Sequence, residues 1–241
     1  MTSIKLSEYT SSQVTKDLPL CRYMELDAFI RMLKTEQMYV RRKMFYEDPF
    51  EKNPPMDEAY RTSPCGENTS PQPKKEERRK SIDAKYAEWA AMPTSCWTLD
   101  TQDNYLMWKA YAPNMGIRII SSVSRIISSF HSDSSFSVEK CTIHFGKMKY
   151  SSLNKEEQTA LWKNRAYKGE REFRFYFDIQ GDCCNLRECC SNKGVSIPID
   201  TKKLIKEVAI SPFVNYVVAK EIEAILRCRY EIKHIKPIKL R

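Results

Sequence analysis

Residues 170–177, Glu170-Arg171-Glu172-Phe173-Arg174-Phe175-Tyr176-Phe177, constrain the fold more than any other stretch. The rings at 173, 175 and 177 alternate with Arg174 and Tyr176, a period of two that predicts a strand. Tyr167-Lys168-Gly169 before it reads as a turn. Side chains two apart share a strand face, so Glu170 and Glu172 are expected to project together from the strand's start. Two neighbouring carboxylates repel, which favours keeping one protonated or pairing it with a base. The plain alternative is a solvated edge strand carrying Glu–Arg pairs. Two other segments shift the weight toward a site.

The first is Cys21-Arg22-Tyr23, within a strand expected over Leu20 to Leu26. The second is Thr94-Ser95-Cys96-Trp97-Thr98, within a strand expected over Thr94 to Leu99. Between them the pattern predicts a helix from Leu26 to Gln37, with Phe29, Ile30, Leu33 and Met38 near helical spacing, and a strand from Met38 to Phe45. Asp48-Pro49-Phe50-Glu51 stops regular structure, and the proline-rich stretch to Pro73 is expected to be a mobile insertion of about 52–75. A charged helix is expected over Lys74 to Met92, and another helix over Asp103 to Ala112. Further along come a strand at Gly116 to Ser121, a helix at Val123 to Phe130, and one or two strands within Val138 to Tyr150. Helical spacing over Lys155 to Arg165 predicts a helix leading to Glu170. A Cys-rich loop of about 180–194, strands at Val195 to Ile199 and Glu207 to Ser211, a helix at Val217 to Cys228 and a strand at His234 to Leu240 complete the order. This mixture is α+β, a mixed sheet with surrounding helices, in one domain over 20–241 behind a polar tail over 1–19.

At 241 residues the chain is long enough for one sizeable core, and 41% hydrophobic content suits a globular protein. Forty Lys and Arg against 31 Asp and Glu leave a net charge of +9, which favours a polyanionic partner or substrate. The basic run Arg41-Arg42-Lys43 is a candidate nucleic-acid contact, with the mixed-charge helix after Lys74 and the basic C-terminal strand extending it. No apolar leader or membrane-length run is present, so a soluble cytoplasmic protein without a membrane partner is expected. Nine cysteines, an odd number, are expected to be reduced thiols there. Cys183-Cys184 and Cys189-Cys190 lack the spacing of a zinc site, so no metal is expected. His131, His144 and His234 share no catalytic spacing, and no phosphate-binding glycine loop occurs.

An Arg on an early strand, a Ser/Thr strand in the middle and a late Glu-x-Glu resemble the Arg-Ser-Glu class of ADP-ribosyltransferase toxins. A second resemblance spans nearly the whole chain. Arg22-Tyr23, Asp48-Pro49-Phe50-Glu51, Ser95-Cys96-Trp97, Met107-Trp108-x-x-Tyr111 and Glu170-Arg171-Glu172-Phe173-Arg174 are similar to a bacterial family of unknown function often found beside phage-defence genes. Together the resemblances imply an ADP-ribosyltransferase-like fold, NAD as the ADP-ribose donor, a nucleic-acid acceptor, and a role in defence or as a toxin neutralised by an antitoxin or chaperone.

On that basis Arg22 is the candidate clamp for the NAD pyrophosphate, with Tyr23 beside it. Ser95 is a candidate for holding the nicotinamide ribose or orienting the catalytic Glu. Cys96-Trp97 replaces the small residues usual there, which makes Thr98 the substitute. Glu172 is the candidate stabiliser of the oxocarbenium ion, and Glu170 the candidate for activating the acceptor. Trp97, Trp108 and Tyr111 are candidates for walling the pocket, although Leu106 and Met107 beside them also suit a core. Two other classes stay open: a nucleic-acid-binding protein without catalysis, and a metal-dependent nuclease built on Asp48, Glu51, Glu170 and Glu172.

Overall fold

The architecture follows from a few strongly patterned segments, seen in a computed structural model that describes residues 3–8, 17–47, 90–130, 140–151, 161–180, 190–191 and 193–236. Strand β1 (Ser3–Glu8) lies within the stretch expected to be a polar tail. Strand β2 (Pro19–Glu25) leads into helix α1 (Leu26–Thr35), whose Phe29 and Met32 are buried. The chain reverses at Glu36 (φ 50°) into β3 (Gln37–Arg42). After β4 (Pro93–Thr98) comes α2 (Tyr105–Tyr111), whose first N–H groups at Leu106 and Met107 donate to the Asn104 side chain. Strand β5 (Gly116–Ser122) and helix α3 (Val123–Ser129) follow.

Strands β6 (Lys140–Lys147), β7 (Lys149–Ser151) and β8 (Trp162–Asn164) precede a 3-10 turn over Arg165–Glu170 and strand β9 (Glu172–Gln180). The last elements are β10 (Cys190–Ser191), β11 (Gly194–Pro198), α4 (Thr201–Leu204), β12 (Glu207–Ile210), α5 (Tyr216–Tyr230) and β13 (Ile235–Lys236).

Eleven of the described strands form one sheet, ordered β1-β6-β9-β4-β2-β5-β12-β13 with β3, β11 and β10 branching from β4. Its pairings are antiparallel except β1–β6 and β12–β13. The mixed, mainly antiparallel sheet with several helices is the α+β arrangement that the sequence pattern predicts. Among the described residues no helix is long and apolar enough to cross a membrane.

The sheet divides at β4. One edge of β4 takes β9 along its whole length. The other edge is shared, with β2 meeting it at Cys21 opposite Thr98 and β3 at Arg41 opposite Thr94. Two strands that leave the same neighbour from opposite ends must part, and the cleft described below opens beside that parting.

Strand β9 is central, between β6 and β4, and not the solvated edge of the plain alternative. Phe173, Phe175 and Phe177 are fully buried on one face, against Phe130 and Phe145. Glu172, Arg174 and Tyr176 take the other face. Two further expectations are corrected. Residues 162–164 form β8 and not the end of a helix, because Trp162-Lys163-Asn164 pairs in register with Lys149-Tyr150-Ser151. Glu170 is not part of the strand: it ends the 3-10 turn, and Arg171 kinks the backbone at φ 45° before β9 begins. The expected insertion of about 52–75, Asp48 to Glu51, most of the charged helix after Lys74, His131, and Cys183, Cys184 and Cys189 lie outside the described residues.

Candidate functional site

Strands β2, β3, β4, β8 and β9 and helix α2 enclose a cleft of about 910 Å³. Its chemistry starts from β9. Residues 172 and 174 share a face, and Arg174 forks onto Glu172, with Nε 2.7 Å from Oε1 and Nη2 2.8 Å from Oε2. Both side chains are buried, at 0% and 7% exposure. Two parallel charge-assisted bonds hold this carboxylate in one orientation. Its backbone N–H donates to the Tyr150 hydroxyl at 2.6 Å, which fixes the start of the strand as well. Burial pushes the Tyr150 phenol up to about 12, so it stays neutral over the ordinary range.

Lys163, on β8, joins Glu172 to Glu170. Its Nζ lies 2.6 Å from Glu170 Oε2 and 3.2 Å from Glu172 Oε2, beneath the ring of Tyr167 at 4.6 Å. The two carboxylates therefore converge, though not by strand alternation. The kink at Arg171 turns Glu170 back toward Lys163. Glu170 is the more open of the pair and its pKa is raised, first by burial, with Lys163 opposing and the charge on Glu172 adding to it. The Tyr111 hydroxyl lies near enough to favour the charged form of the same carboxylate. The corner thus holds two carboxylates and two cations: one carboxylate locked, the other reachable.

Thr98 secures this corner from β4. Its hydroxyl donates to the Glu170 carbonyl at 2.7 Å, and Leu99 N–H donates to the Arg171 carbonyl at 2.9 Å. Thr98 lines the cleft, as do Arg22, Tyr23, Trp97 and Tyr111. Arg22 Nη1 donates to Ser95 Oγ at 2.9 Å, and burial lowers its pKa, yet a guanidinium stays cationic. Ser95 itself is fully buried and does not line the cleft; its hydroxyl also accepts from Trp97 Nε1 at 2.9 Å. It therefore stands behind Arg22 and Trp97 and orients both. The structure thus brings Arg22, Thr98, Glu170 and Glu172 to one cleft and sets Ser95 one layer back.

Trp108 is 1% exposed and packs edge-on against Tyr23, ring centroids 4.8 Å apart, away from the cleft lining. The basic run splits up, because strand alternation sends neighbours to opposite faces. Arg41 lines the cleft, Arg42 donates to the Ala91 carbonyl at 2.6 Å, and Lys43 is buried. The three do not form one exposed face. Among the described residues no group of three or more His, Cys, Asp or Glu is placed to hold a metal, and Asp48 and Glu51 lie outside them.

Sequence reasoning missed Lys163, Tyr150 and Tyr46. Tyr46 lies in the cleft wall with its hydroxyl 3.3 Å from Cys96 Sγ, and burial holds its phenol well above the usual value. Lys163 and Tyr150 reach the site only because β7 and β8 pair with each other beside β9, a long-range fact with no local signature. Arg174 was legible in principle: it lies two residues from Glu172 in a strand whose other face is all aromatic.

No protein-family model matches the sequence, and no curated protein matches it. Among solved structures it is similar to Thermus sp. 2.9 DarT in complex with ADP-ribosylated ssDNA, at 9% identity over 94% of this chain and 96% of that one, with a TM-score of 0.38. A likeness at that level decides neither the fold family nor the chemistry of the cleft.

Proposed function

We propose that the chain is an ADP-ribosyltransferase that takes NAD as donor and nucleic acid as acceptor. The observation that carries the reading is a single cleft joining a cationic side, Arg22 and Arg41, to an acidic corner, Glu170 and Glu172. A dinucleotide carries a pyrophosphate and two riboses, so it needs both kinds of group, and about 910 Å³ is ample for it. Guanidinium forks match phosphate oxygens, which gives Arg22 and Arg41 their part.

At the acidic corner the ribose–nicotinamide bond breaks and nicotinamide leaves with the bonding electrons. Positive charge then grows on the ribose carbon. Glu172, fixed by Arg174, is a pre-aligned negative group for it, and such alignment lowers the barrier without reorganisation. Glu170, more open and with its pKa raised by burial, accepts the proton of the attacking acceptor group. Tyr111 and Tyr167 offer rings to the bases or nicotinamide. The net charge of +9 supports a polyanionic acceptor. Such an enzyme harms its own cell when unchecked, so a neutralising protein partner belongs to the same reading.

Incubation of the purified protein with radiolabelled NAD and separate RNA, DNA and protein fractions tests it. Label is expected in one nucleic-acid fraction and absent with Glu170→Gln, whose partly open position spares the fold. No transfer to any fraction, together with no release of nicotinamide, overturns it in favour of a binding protein.

A further inference from the structure

Helix α2 forms a wall of the cleft with Met107, Ala110 and Tyr111. Its other side carries Tyr105 and Lys109, about half a turn of helical circumference away from those residues. Tyr105 is 61% exposed, and the ring of Phe213 meets it edge-on at 5.3 Å. Lys109, one turn on, places Nζ 4.3 Å from the Phe213 centroid and 5.9 Å from that of Tyr105. Lys109 makes no ion pair among the described residues. The same unit recurs three residues after Phe213. Tyr216, 56% exposed, opens α5, and Lys220 one turn on lies 5.8 Å from its centroid while also pairing with Glu223 at 3.1 Å.

We infer that these two tyrosine–lysine units, the first of them braced by Phe213, form a stacking platform for single-stranded nucleic acid on the shoulder of the cleft. A ring open to solvent accepts a base face, and an ammonium one turn on is placed for the adjoining phosphate. Protein-binding patches are depleted in lysine at their centres, whereas here each exposed ring has one. The surplus of cations over the whole chain matches the same ligand. As a binding surface the platform is independent of the cleft chemistry. As the place where the acceptor strand lies, on the far side of α2 from the cleft, it rests on the function proposed above.

Fluorescence anisotropy with labelled oligothymidine and oligouridine, over a salt series, tests it. Wild-type protein is expected to bind at least one of the two, and the pair of probes tells a DNA from an RNA preference. Tyr105→Ala and Tyr216→Ala are each expected to weaken binding roughly ten-fold or more. Lys109→Gln is expected to reduce the slope of log affinity against log salt by about 0.7. All three side chains are at the surface, and circular dichroism confirms that the variants fold. Unchanged affinity in both tyrosine variants, or no binding by wild type, overturns the platform. So does sedimentation showing that the variants lose self-association and not oligonucleotide binding. The two proposals fail separately. Wild type that binds the oligonucleotides through Tyr105 and Tyr216 yet transfers no ADP-ribose sinks the enzyme alone. Transfer that survives with unaltered binding in both tyrosine variants sinks the platform alone.

Discussion

Among the described residues, Arg174 and Arg118 are almost wholly buried in this sheet, and they are answered differently. Arg174 on β9 meets a carboxylate, Glu172, itself held by Lys163 in the cleft. Arg118 on β5 meets mainly backbone: Nη1 donates to the Gln102 carbonyl at 2.7 Å and lies 3.4 Å from that of Thr101 and from the Tyr23 hydroxyl. Its one carboxylate, Asp103, is 71% exposed. A cation answered mainly by carbonyls staples a loop, here the segment that delivers α2 to the cleft, and a carbonyl carries no proton to exchange. A cation answered by a buried carboxylate leaves a cluster whose charge a ligand or a proton can change. The first arrangement is scaffold and the second is a site.

Removing the centre of each cluster separates the roles. Glu172→Ala leaves Arg174 and Lys163 buried without their shared carboxylate, an expected loss of about 3–5 kcal/mol in chemical denaturation. Glu172→Gln keeps the shape and is expected to lose less, so any assay of that variant needs a melting curve beside it. Arg118→Met removes the charge-assisted bonds to the Thr101 and Gln102 carbonyls and is expected to cost about 1.5–3 kcal/mol, leaving the pH response of the acidic corner as it was. If Arg118→Met shifts that response as strongly as a change at Lys163, the scaffold and the site are not separate. Gly116→Ala probes the packing beneath the staple: a Cβ there would lie 2.7 Å from the Ala112 Cβ and carbonyl and 3.0 Å from Trp108. Overpacking of that kind costs about 1–3 kcal/mol. Asn104→Ala, which removes the cap of α2, is expected to cost about 1 kcal/mol.

These two clusters also mark what the sequence reveals of the fold. Strands with strict alternation, such as 173–177, and short strands bounded by turns, such as β2, β4 and β5, were legible because burial on one face leaves a local pattern. Arg22, Thr98 and Glu172 were legible because each sits at the end or centre of such a strand, whereas Glu170 was found through an alternation it does not belong to. Lys163 was not: its neighbours suggest a helix, and only pairing with β7 turns 162–164 into a strand. The charged identity of a side chain also misled at Lys43, which is buried although lysine is ordinarily exposed. Ser95 was found as a residue, but its depth depends on how β2 and β3 part from β4, which no window of sequence contains.

The smallest effect on stability is the one that reads the site most directly. Burial holds Glu170 above its ordinary carboxylate value, so folding favours its protonated form. That contribution is fully present below the unfolded pKa, near 4.3, and is lost as pH rises through the higher folded value. Glu170→Gln has no proton to lose there. Wild type is therefore expected to lose stability relative to the variant across that window, which thermal melts from pH 4 upward would follow (about pH 4 being the ordinary carboxylate range). Activity runs the other way, because a base works ionised. The acid limb of ADP-ribose transfer is expected to sit above the ordinary carboxylate range and to track the same titration. A wild-type and variant pair whose melting temperatures stay parallel over that range would make Glu170 an ordinary surface acid. The acidic corner would then resemble the Arg118 cluster: fixed charge in a scaffold, with the chemistry elsewhere in the cleft.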